Sequence, residues 1–277
     1  MKCPICKEFT KIRLLYVFAA ARVYYCDTCT GVFNIILTDT DYLYDEAYFC
    51  NNYLTIVQQQ IQFSKYLLQL ISEYKTIGSI LDVGCGTGIF LQEAAKCGFT
   101  DNVGVDISNY AIAQAQRNVT NTAQIINMNN NKLPDREFDI IVYLDSIAHI
   151  HNVDQKLEKL VHHYMHQDGI LIIKTPEFSP HILKYVRFLF YFIPRQYLAS
   201  LFFIKHRRLL FNEKSIALFL KRHSLEPIKT ETCSEYRRRI RISSLKSWVG
   251  YFIFYKIPQW LNFNNSMIIV AKRLAKW

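Results

Sequence analysis

The sequence is poor in glycine and proline, and it lacks repeated segments. It contains nine glycines and seven prolines among 277 residues, and it has no internal repeat. Collagen-like and solenoid architectures are therefore excluded. Charged residues make up only 20% of the chain, whereas hydrophobic residues make up 51%. Such a chain can bury a substantial core, so wholesale disorder is excluded as well.

Long uninterrupted apolar runs are also missing. The amino terminus lacks the apolar stretch of a secretory signal, and no window reaches the roughly 18 apolar residues of a membrane-spanning helix. The nearest case, residues 188–204, is broken by Pro194 and Arg195. We therefore expect a cytoplasmic protein whose eight cysteines are reduced, buried or bound to metal.

Acidic residues are scarce in the last third of the chain. Residues 176–277 contain five Asp or Glu against 19 Lys or Arg, and they hold 20 of the 40 aromatic residues. Residues 1–175 are net acidic, with 18 acidic and 14 basic side chains. This asymmetry indicates that one face contacts a nucleic acid, a membrane surface or an acidic ligand.

The basic, aromatic stretches lie at about residues 180–210 and 236–264. Aromatic side chains between cationic groups suit an anionic bilayer interface. They also suit RNA, where aromatic rings stack on bases. A third interpretation is an apolar cap over an active site with a solvated basic rim.

Four cysteines near the amino terminus have metal-ligand spacing. Cys3 and Cys6 form one Cys-x2-Cys pair, and 19 residues later Cys26 and Cys29 form a second. Two such pairs supply four thiolates to one tetrahedral ion, which predicts a structural Zn²⁺ site of the zinc-ribbon type with a short hairpin between the pairs. The alternative is four unligated thiols in a small hairpin. Lys7 stands where ribbons often have glycine, and Gly31 comes one position late.

A glycine loop follows a short apolar strand. Residues 79–83 run into Gly84-Cys85-Gly86-Thr87-Gly88, and an amphipathic helix comes next. Strand, glycine loop and helix let a ligand approach the backbone closely, although a bare loop of this kind can also be a tight turn. A second strand, residues 103–106, ends in Asp106, placed to bind ribose hydroxyls. Asp82 would repel a pyrophosphate but could meet an ammonium group, which favours an amino-acid-bearing nucleoside over NAD.

These residues carry a family resemblance. Residues 81–88 (LDVGCGTG) resemble motif I of class I S-adenosylmethionine-dependent methyltransferases, and residues 104–108 (GVDIS) resemble the next motif. Later segments resemble strand four, strand five and the late helix of the ubiquinone-biosynthesis-like branch: residues 133–141, 168–176 and 211–220. The cysteine ribbon with residues 44–49 is similar to bacterial methyltransferases that carry an N-terminal zinc-binding module. Some of those modify sugars or other biosynthetic intermediates.

The resemblance implies an α/β fold, a Rossmann-like seven-stranded methyltransferase sheet with a small N-terminal zinc ribbon. We expect a zinc-ribbon-like module and aromatic linker at residues 1–49 and a methyltransferase domain at residues 50–277, with the two basic, aromatic insertions. An asparagine-rich stretch, residues 127–131, replaces the adenine-contacting acid that the family often has. The implied donor-binding residues are Asp82, Gly84, Cys85, Gly86, Gly88, Asp106, Ile107, Met128, Asn129 and Leu144.

The candidate general base is His149. It follows strand four, and its usual pKa suits proton transfer near neutral pH. The family branch often has Asp-x-x-Glu-His here, and Ala148 replaces the Glu. A hydrogen-bonded structural histidine is the alternative interpretation. Other candidates are weaker: His151; the solvated histidines of a predicted helix over residues 154–166; and Tyr42, Tyr44 and Tyr48, which could close over the donor or pack the ribbon on the core.

The sequence therefore predicts an S-adenosylmethionine-dependent methyltransferase acting on a small-molecule, sugar or lipid-linked biosynthetic intermediate by in-line methyl transfer. Peripheral contact with the inner membrane surface is a further hypothesis. One alternative is a zinc-module-bearing RNA methyltransferase, although residues 143–146 lack the Asn/Asp-Pro-Pro-aromatic motif of exocyclic-amine methylation. A second alternative is a non-catalytic donor-binding or scaffold protein.

Overall fold

The computed structural model describes residues 1–37, 46, 49, 56–119, 122–129, 132–192, 194, 207–233 and 266–274. The predicted insertion at about 236–264, much of the one at about 180–210, and Tyr42, Tyr44 and Tyr48 lie outside these residues. The strands are β1 Ile12–Val17, β2 Ala21–Cys26, β3 Val32–Ile36, β4 Ile80–Val83, β5 Asn102–Asp106, β6 Ala123–Asn127, β7 Phe138–Leu144, β8 Met165–Pro176, β9 Leu209–Leu210, β10 Leu225–Cys233 and β11 Ser266–Arg273.

The larger sheet has seven strands within the described ranges, in the order β6-β5-β4-β7-β8-β11-β10. Strands β4 to β8 all run parallel to one another, whereas β11 is antiparallel to both β8 and β10. This topology confirms the Rossmann-like methyltransferase sheet. The parallel strands all end at one edge, called the carboxyl edge below, where open α/β sheets bind ligands.

Helices cover both faces of this sheet, which explains why its central strands are almost continuously apolar. The helices are α1 Val57–Ser72, α2 Ile89–Lys96, α3 Asn109–Asn118, α4 Val153–Lys159, α5 Pro180–Leu189 and α6 Glu213–Arg222. On one face, Ile80 and Val142 pack with buried residues of α1 and α2. On the other face, Tyr143 and Phe219 share a core with the four cysteines. None of the helices in the described residues has the length and apolarity needed to cross a bilayer.

The predicted helix over residues 154–166 is wrong at its end. After α4 comes a π-helical turn, Leu160–Tyr164, and β8 already begins at Met165. Met165 pairs with Phe138 of β7 and is fully buried, so sheet pairing overrides the helical period there. The predicted exposure of His162, His163 and His166 is confirmed.

The smaller sheet has the order β1-β2-β3-β9, antiparallel throughout, and contains the predicted hairpin. Its last strand comes from far along the chain, because Val32 and Phe33 pair with Leu210 and Leu209. One face of the sheet, including Val23, packs against Leu183 of α5. The ribbon is therefore joined to the larger unit by both backbone pairing and apolar contact.

Candidate donor site and metal centre

The glycine loop is held between β5 and the segment that follows β7. The backbone amides of Gly84 and Cys85 both donate to Val105 O, at 2.8 Å and 3.0 Å. Ser146 Oγ donates to Val83 O from the other side. At Gly84 φ is +85°, and an added Cβ would lie 2.5 Å from Ser146 Cβ. Only glycine fits such a position without strain.

The end of the loop starts α2 with its first amides directed at the carboxyl edge. Gly88 precedes α2 with φ +77°, and a Cβ there would lie 3.1 Å from Ala115 Cβ. Asn118 of α3 donates through Nδ2 to Thr87 O at 2.8 Å. The loop and the helix amino terminus are thus held in place by hydrogen bonds and packing within the chain, which suits a phosphate- or nucleoside-binding turn.

Two carboxyl groups stand at the ends of β4 and β5. Asp106 accepts hydrogen bonds from the amides of Gly86 at 3.0 Å and Ser108 at 2.9 Å. Asp82 is 1% exposed, and its Oδ1 has no hydrogen-bond partner among the described residues. Burial, together with the nearby Asp106 carboxylate, raises the pKa of Asp82 to about 8. A buried carboxyl oxygen without a partner is costly, and an ammonium group of a ligand would satisfy it.

An apolar surface lies beside these acids. Ile107 and Met128 follow β5 and β6 at the carboxyl edge and are 53% and 41% exposed. Asn129 Nδ2 donates to Ile107 O at 3.0 Å. Next to this corner, the buried Phe49 ring contacts Tyr110 of α3, with the centroids 5.7 Å apart. The corner therefore offers flat apolar contact and amide groups, the combination suited to an adenine ring.

His149 belongs to a 3₁₀ turn, Ile147–His149, that follows β7. It is half-buried, and its amide donates to Ser146 O at 2.9 Å. Because Ser146 also contacts Gly84, His149 is anchored to the glycine loop through a single residue. His151 is exposed in the next turn. The base role of His149 stays a prediction, as does the donor contact of Leu144, the last residue of β7.

The sequence analysis did not single out an ion pair at the same edge. Lys174, near the end of β8, has a side chain only 9% exposed and pairs with the carboxylate of Asp145. Its Nζ also lies 5.3 Å from the centroid of the Phe63 ring. The sequence signal that could have identified this ion pair is a lysine directly after the apolar run 170–173.

The four predicted zinc ligands converge. All of their Sγ atoms lie within 4.8 Å of one another, and all four residues are buried. Cys3 Sγ and Cys29 Sγ are 3.8 Å apart, as are Cys6 Sγ and Cys26 Sγ. Zinc–sulfur bonds of about 2.3 Å in a tetrahedron give a sulfur–sulfur distance of about 3.8 Å. The cysteine geometry therefore fits one tetrahedral Zn²⁺.

The two cysteine turns have the same backbone conformation. Lys7 and Thr30, each directly after the second cysteine of its pair, both have φ of +60°. Their amides donate to Cys3 O and Cys26 O, each at 2.9 Å. Lys7 and Thr30 therefore adopt the left-handed backbone conformation for which ribbons often use glycine. Gly31 serves packing instead, because a Cβ there would lie 2.6 Å from the Ile5 side chain.

A charged cluster ties the ribbon to the larger unit. Arg222 of α6 donates through Nη1 to Ile5 O at 2.6 Å and pairs through Nη2 with Asp154 at 2.9 Å. Lys7 and His223 contact the same carboxylate. Burial raises the pKa of Asp154. Hydrogen bonds from His223 and Lys7 and the charge of Arg222 outweigh this effect and hold the pKa well below its usual range.

Comparison with known families agrees with this geometry. A family model described as "Methyltransferase domain" matches residues 56–230, more than half of the chain. The chain belongs to this family. Its sheet is that of the class I S-adenosylmethionine-dependent methyltransferases, and the matched residues include the glycine loop, both acids and His149.

The individual relatives either align over a short part of the chain or have low sequence identity. The ribosomal protein L11 methyltransferase of Burkholderia cenocepacia is 42% identical over 65 residues, 23% of this chain and 22% of that protein. The chain thus aligns with about a fifth of this relative. Among solved structures, the complex of the Haloferax volcanii Trm112 methyltransferase activator with a methyltransferase superimposes with a TM-score of 0.58 at 10% identity, covering 80% of this chain and 92% of that one. Magnesium protoporphyrin IX methyltransferase from Synechocystis PCC 6803, with bound S-adenosylhomocysteine, gives 0.52 at 18%, covering 80% and 88%. These structural likenesses concern the fold.

Proposed function

We propose that this protein transfers a methyl group from S-adenosylmethionine to a small-molecule, sugar or lipid-linked biosynthetic intermediate. The observation that carries the proposal is the pair of carboxyl groups beside the fixed glycine loop. Asp82 is buried with an unpartnered oxygen, which suits the ammonium group of the donor. Asp106 stands at the tip of β5, where an acid binds ribose hydroxyls.

The bound donor would supply an already activated methyl group, so the protein mainly has to position the two reactants and exclude water. Ile107 and Met128 would hold the adenine ring, with Asn129 offering hydrogen bonds at its edge. Gly84 would allow the donor to lie against the backbone. His149 would accept the proton of an acceptor hydroxyl or carbon acid.

The acceptor class is proposed from the basic, aromatic character of the last third of the chain. We propose that the acceptor is met at a membrane surface, because cationic and aromatic side chains together favour an anionic interface. The L11 methyltransferase relative acts on a protein by its name. Its short alignment does not cover enough of either chain to favour that acceptor here.

We further propose that the four cysteines hold a structural Zn²⁺. Four protein ligands would leave no open coordination position, so the ion would stabilise the ribbon and take no part in methyl transfer. The 3.8 Å sulfur–sulfur distances support this assignment.

Calorimetry with S-adenosylhomocysteine tests the donor site. We expect the wild-type protein to bind it and the Asp106→Asn variant to bind at least about tenfold more weakly, because a charged hydrogen-bond acceptor for the ribose is lost. Asp168→Asn is the matched control, since Asp168 is exposed in the first half of β8, away from the carboxyl edge. Absence of binding by the wild-type protein would refute methyl transfer by this chain.

A transfer screen with methyl-labelled donor tests the acceptor class. Separate reactions would contain membrane lipid extract, nucleotide-sugars, ribosomal RNA and ribosomal protein. Label in the lipid or sugar reaction supports the proposal. Label confined to RNA or protein would refute the proposed acceptor and leave the donor assignment in place.

A further inference from the structure

We propose that the carboxyl-terminal end of α5 docks on an anionic lipid bilayer. The proposal rests on the membrane-associated acceptor proposed above and names the surface that makes the contact. We call this surface the α5 tip and define it by Lys184, Arg187, Phe188, Tyr191 and Phe192.

The α5 tip presents apolar side chains that are largely exposed within the part of the chain that the structure describes. Phe188, Tyr191 and Phe192 are 57%, 86% and 71% exposed. The buried side of α5, through Leu183 and Val186, faces the protein. A helix with one buried apolar stripe normally has a polar outer face. Here aromatic rings emerge at the end of that outer face, and exposed apolar patches of this kind mark interaction sites.

Both charged side chains of the α5 tip are cationic. Lys184 and Arg187 are exposed and, with Phe188, Phe190 and Tyr191, line a shallow cleft of about 400 Å³. In the sequence, residues 178–212 contain six Lys or Arg, ten aromatic residues and no Asp or Glu. The two cationic side chains of the α5 tip, Lys184 and Arg187, are complementary to a negatively charged surface.

The ring geometry favours lipid over nucleic acid. RNA-binding surfaces present open aromatic faces on which bases stack. The rings of Phe188 and Phe192 instead pack on each other, 5.2 Å between centroids and tilted by 60°. These two rings form an apolar wedge, and phenylalanine has no group that could hydrogen-bond a base. Such a wedge suits insertion at the boundary between headgroups and acyl chains.

The position of α5 relates this surface to the active site. The helix starts four residues after β8 ends, with Ser179 as its amino-terminal cap. Its inner side packs on the ribbon through Leu183 and Val23. The carbonyl of Lys174, near the end of β8, accepts a hydrogen bond from the amide of Asp145 at 2.8 Å, two residues before the turn that carries His149. Docking through the tip would therefore hold the part of the carboxyl edge that carries His149 at a fixed position relative to the bilayer.

Vesicle flotation of the full-length protein tests this proposal. The probes are phosphatidylcholine vesicles with and without about one-third phosphatidylglycerol. We expect flotation with the anionic vesicles only, reduced by salt because surface charges are screened. The Lys184→Glu/Arg187→Glu variant and the Tyr191→Ser/Phe192→Ser variant should each bind at least about tenfold more weakly.

The matched control is Phe9→Ser. Phe9 is an aromatic side chain of the ribbon, 81% exposed, so its loss tests whether any exposed ring suffices, and this variant should float as the wild type does. Failure of the wild type to float with anionic vesicles, or flotation of both tip variants to the same extent as the wild type, overturns the proposal. So does binding of single-stranded RNA that depends on the tip in a protein that ignores vesicles. S-adenosylhomocysteine affinity, measured on each variant, keeps a failed docking surface distinct from a failed donor site.

Discussion

The ionisation of Asp82 gives donor binding a measurable signature. Burial and the neighbouring Asp106 raise the pKa of Asp82 to about 8. At pH 7 a carboxyl group with that pKa is protonated in about nine molecules of ten. An ammonium group placed against it favours the ionised form and lowers this pKa. Binding of S-adenosylhomocysteine at pH 7 should therefore release about 0.9 proton per site.

Calorimetry in buffers of different ionisation enthalpy measures this release directly. The observed binding enthalpy at pH 7 should change with buffer enthalpy, with a slope of about 0.9 proton released. Since Asp82 is increasingly ionised as the pH rises above 8, the proton release should become smaller there. Affinity should rise as the pH increases toward about 8, because the carboxylate form of Asp82 becomes more populated.

Two variants separate Asp82 from other groups. Asp82→Asn removes the titrating carboxyl, so its binding, weaker than that of the wild type, should show no comparable proton release. Asp168→Asn, at an exposed site, should behave as the wild type. The reasoning is refuted if the wild type releases no proton at pH 7, or if Asp82→Asn releases as many protons as the wild type.

Three further results are expected. Gly84→Ala should abolish detectable S-adenosylhomocysteine binding in calorimetry, because its Cβ would lie 2.5 Å from a neighbouring side chain. Gly98→Ala is the control: its φ is +89° and open space surrounds it, so this variant has backbone strain but no clash and should still bind. Cys29→Ser should lower the zinc content measured by mass spectrometry and reduce the free energy of unfolding by on the order of 4 kcal/mol, whereas serine in place of the exposed Cys97 should leave both unchanged. The stability of the ligand-free protein should fall as pH rises from about 4 to about 8, since the pKa of Asp82 is higher in the folded state than in the unfolded state; thermal unfolding of Asp82→Asn should show a weaker decline, and an equal decline would contradict this assignment.

Local patterns in the sequence predict the donor half of the site well. The glycine loop, the acid after β5 and the buried strands depend on residues close together in the chain, and the structure brings Asp82, Gly84 and Asp106 to one edge. The cysteine spacing likewise predicts the cluster, because each turn positions two thiols and the hairpin brings the turns together.

Long-range contacts explain what the sequence does not predict. The helical period continues past Lys159, but Met165 pairs with Phe138 in the sheet and so does not form another helical turn. The pairing of Val32 with Leu210 and the Arg222–Asp154 contact join residues that are far apart in the chain. No local pattern encodes such contacts, so neither the fourth strand of the ribbon nor the charged cluster could be predicted.

The ribbon is part of the architecture of the active site rather than an appended module. Asn34 of β3 donates through its backbone amide to Arg208 O at 2.9 Å and through Nδ2 to Arg207 O at 2.6 Å. The amide of Arg208 in turn donates to Ala148 O at 2.7 Å, within the turn that carries His149. One hydrogen-bonded segment thus connects the ribbon sheet to the candidate base. Because the same sheet packs against α5 on its other side, the ribbon fixes the turn and the helix relative to each other, and a metal ion held by the four cysteines would stabilise this arrangement.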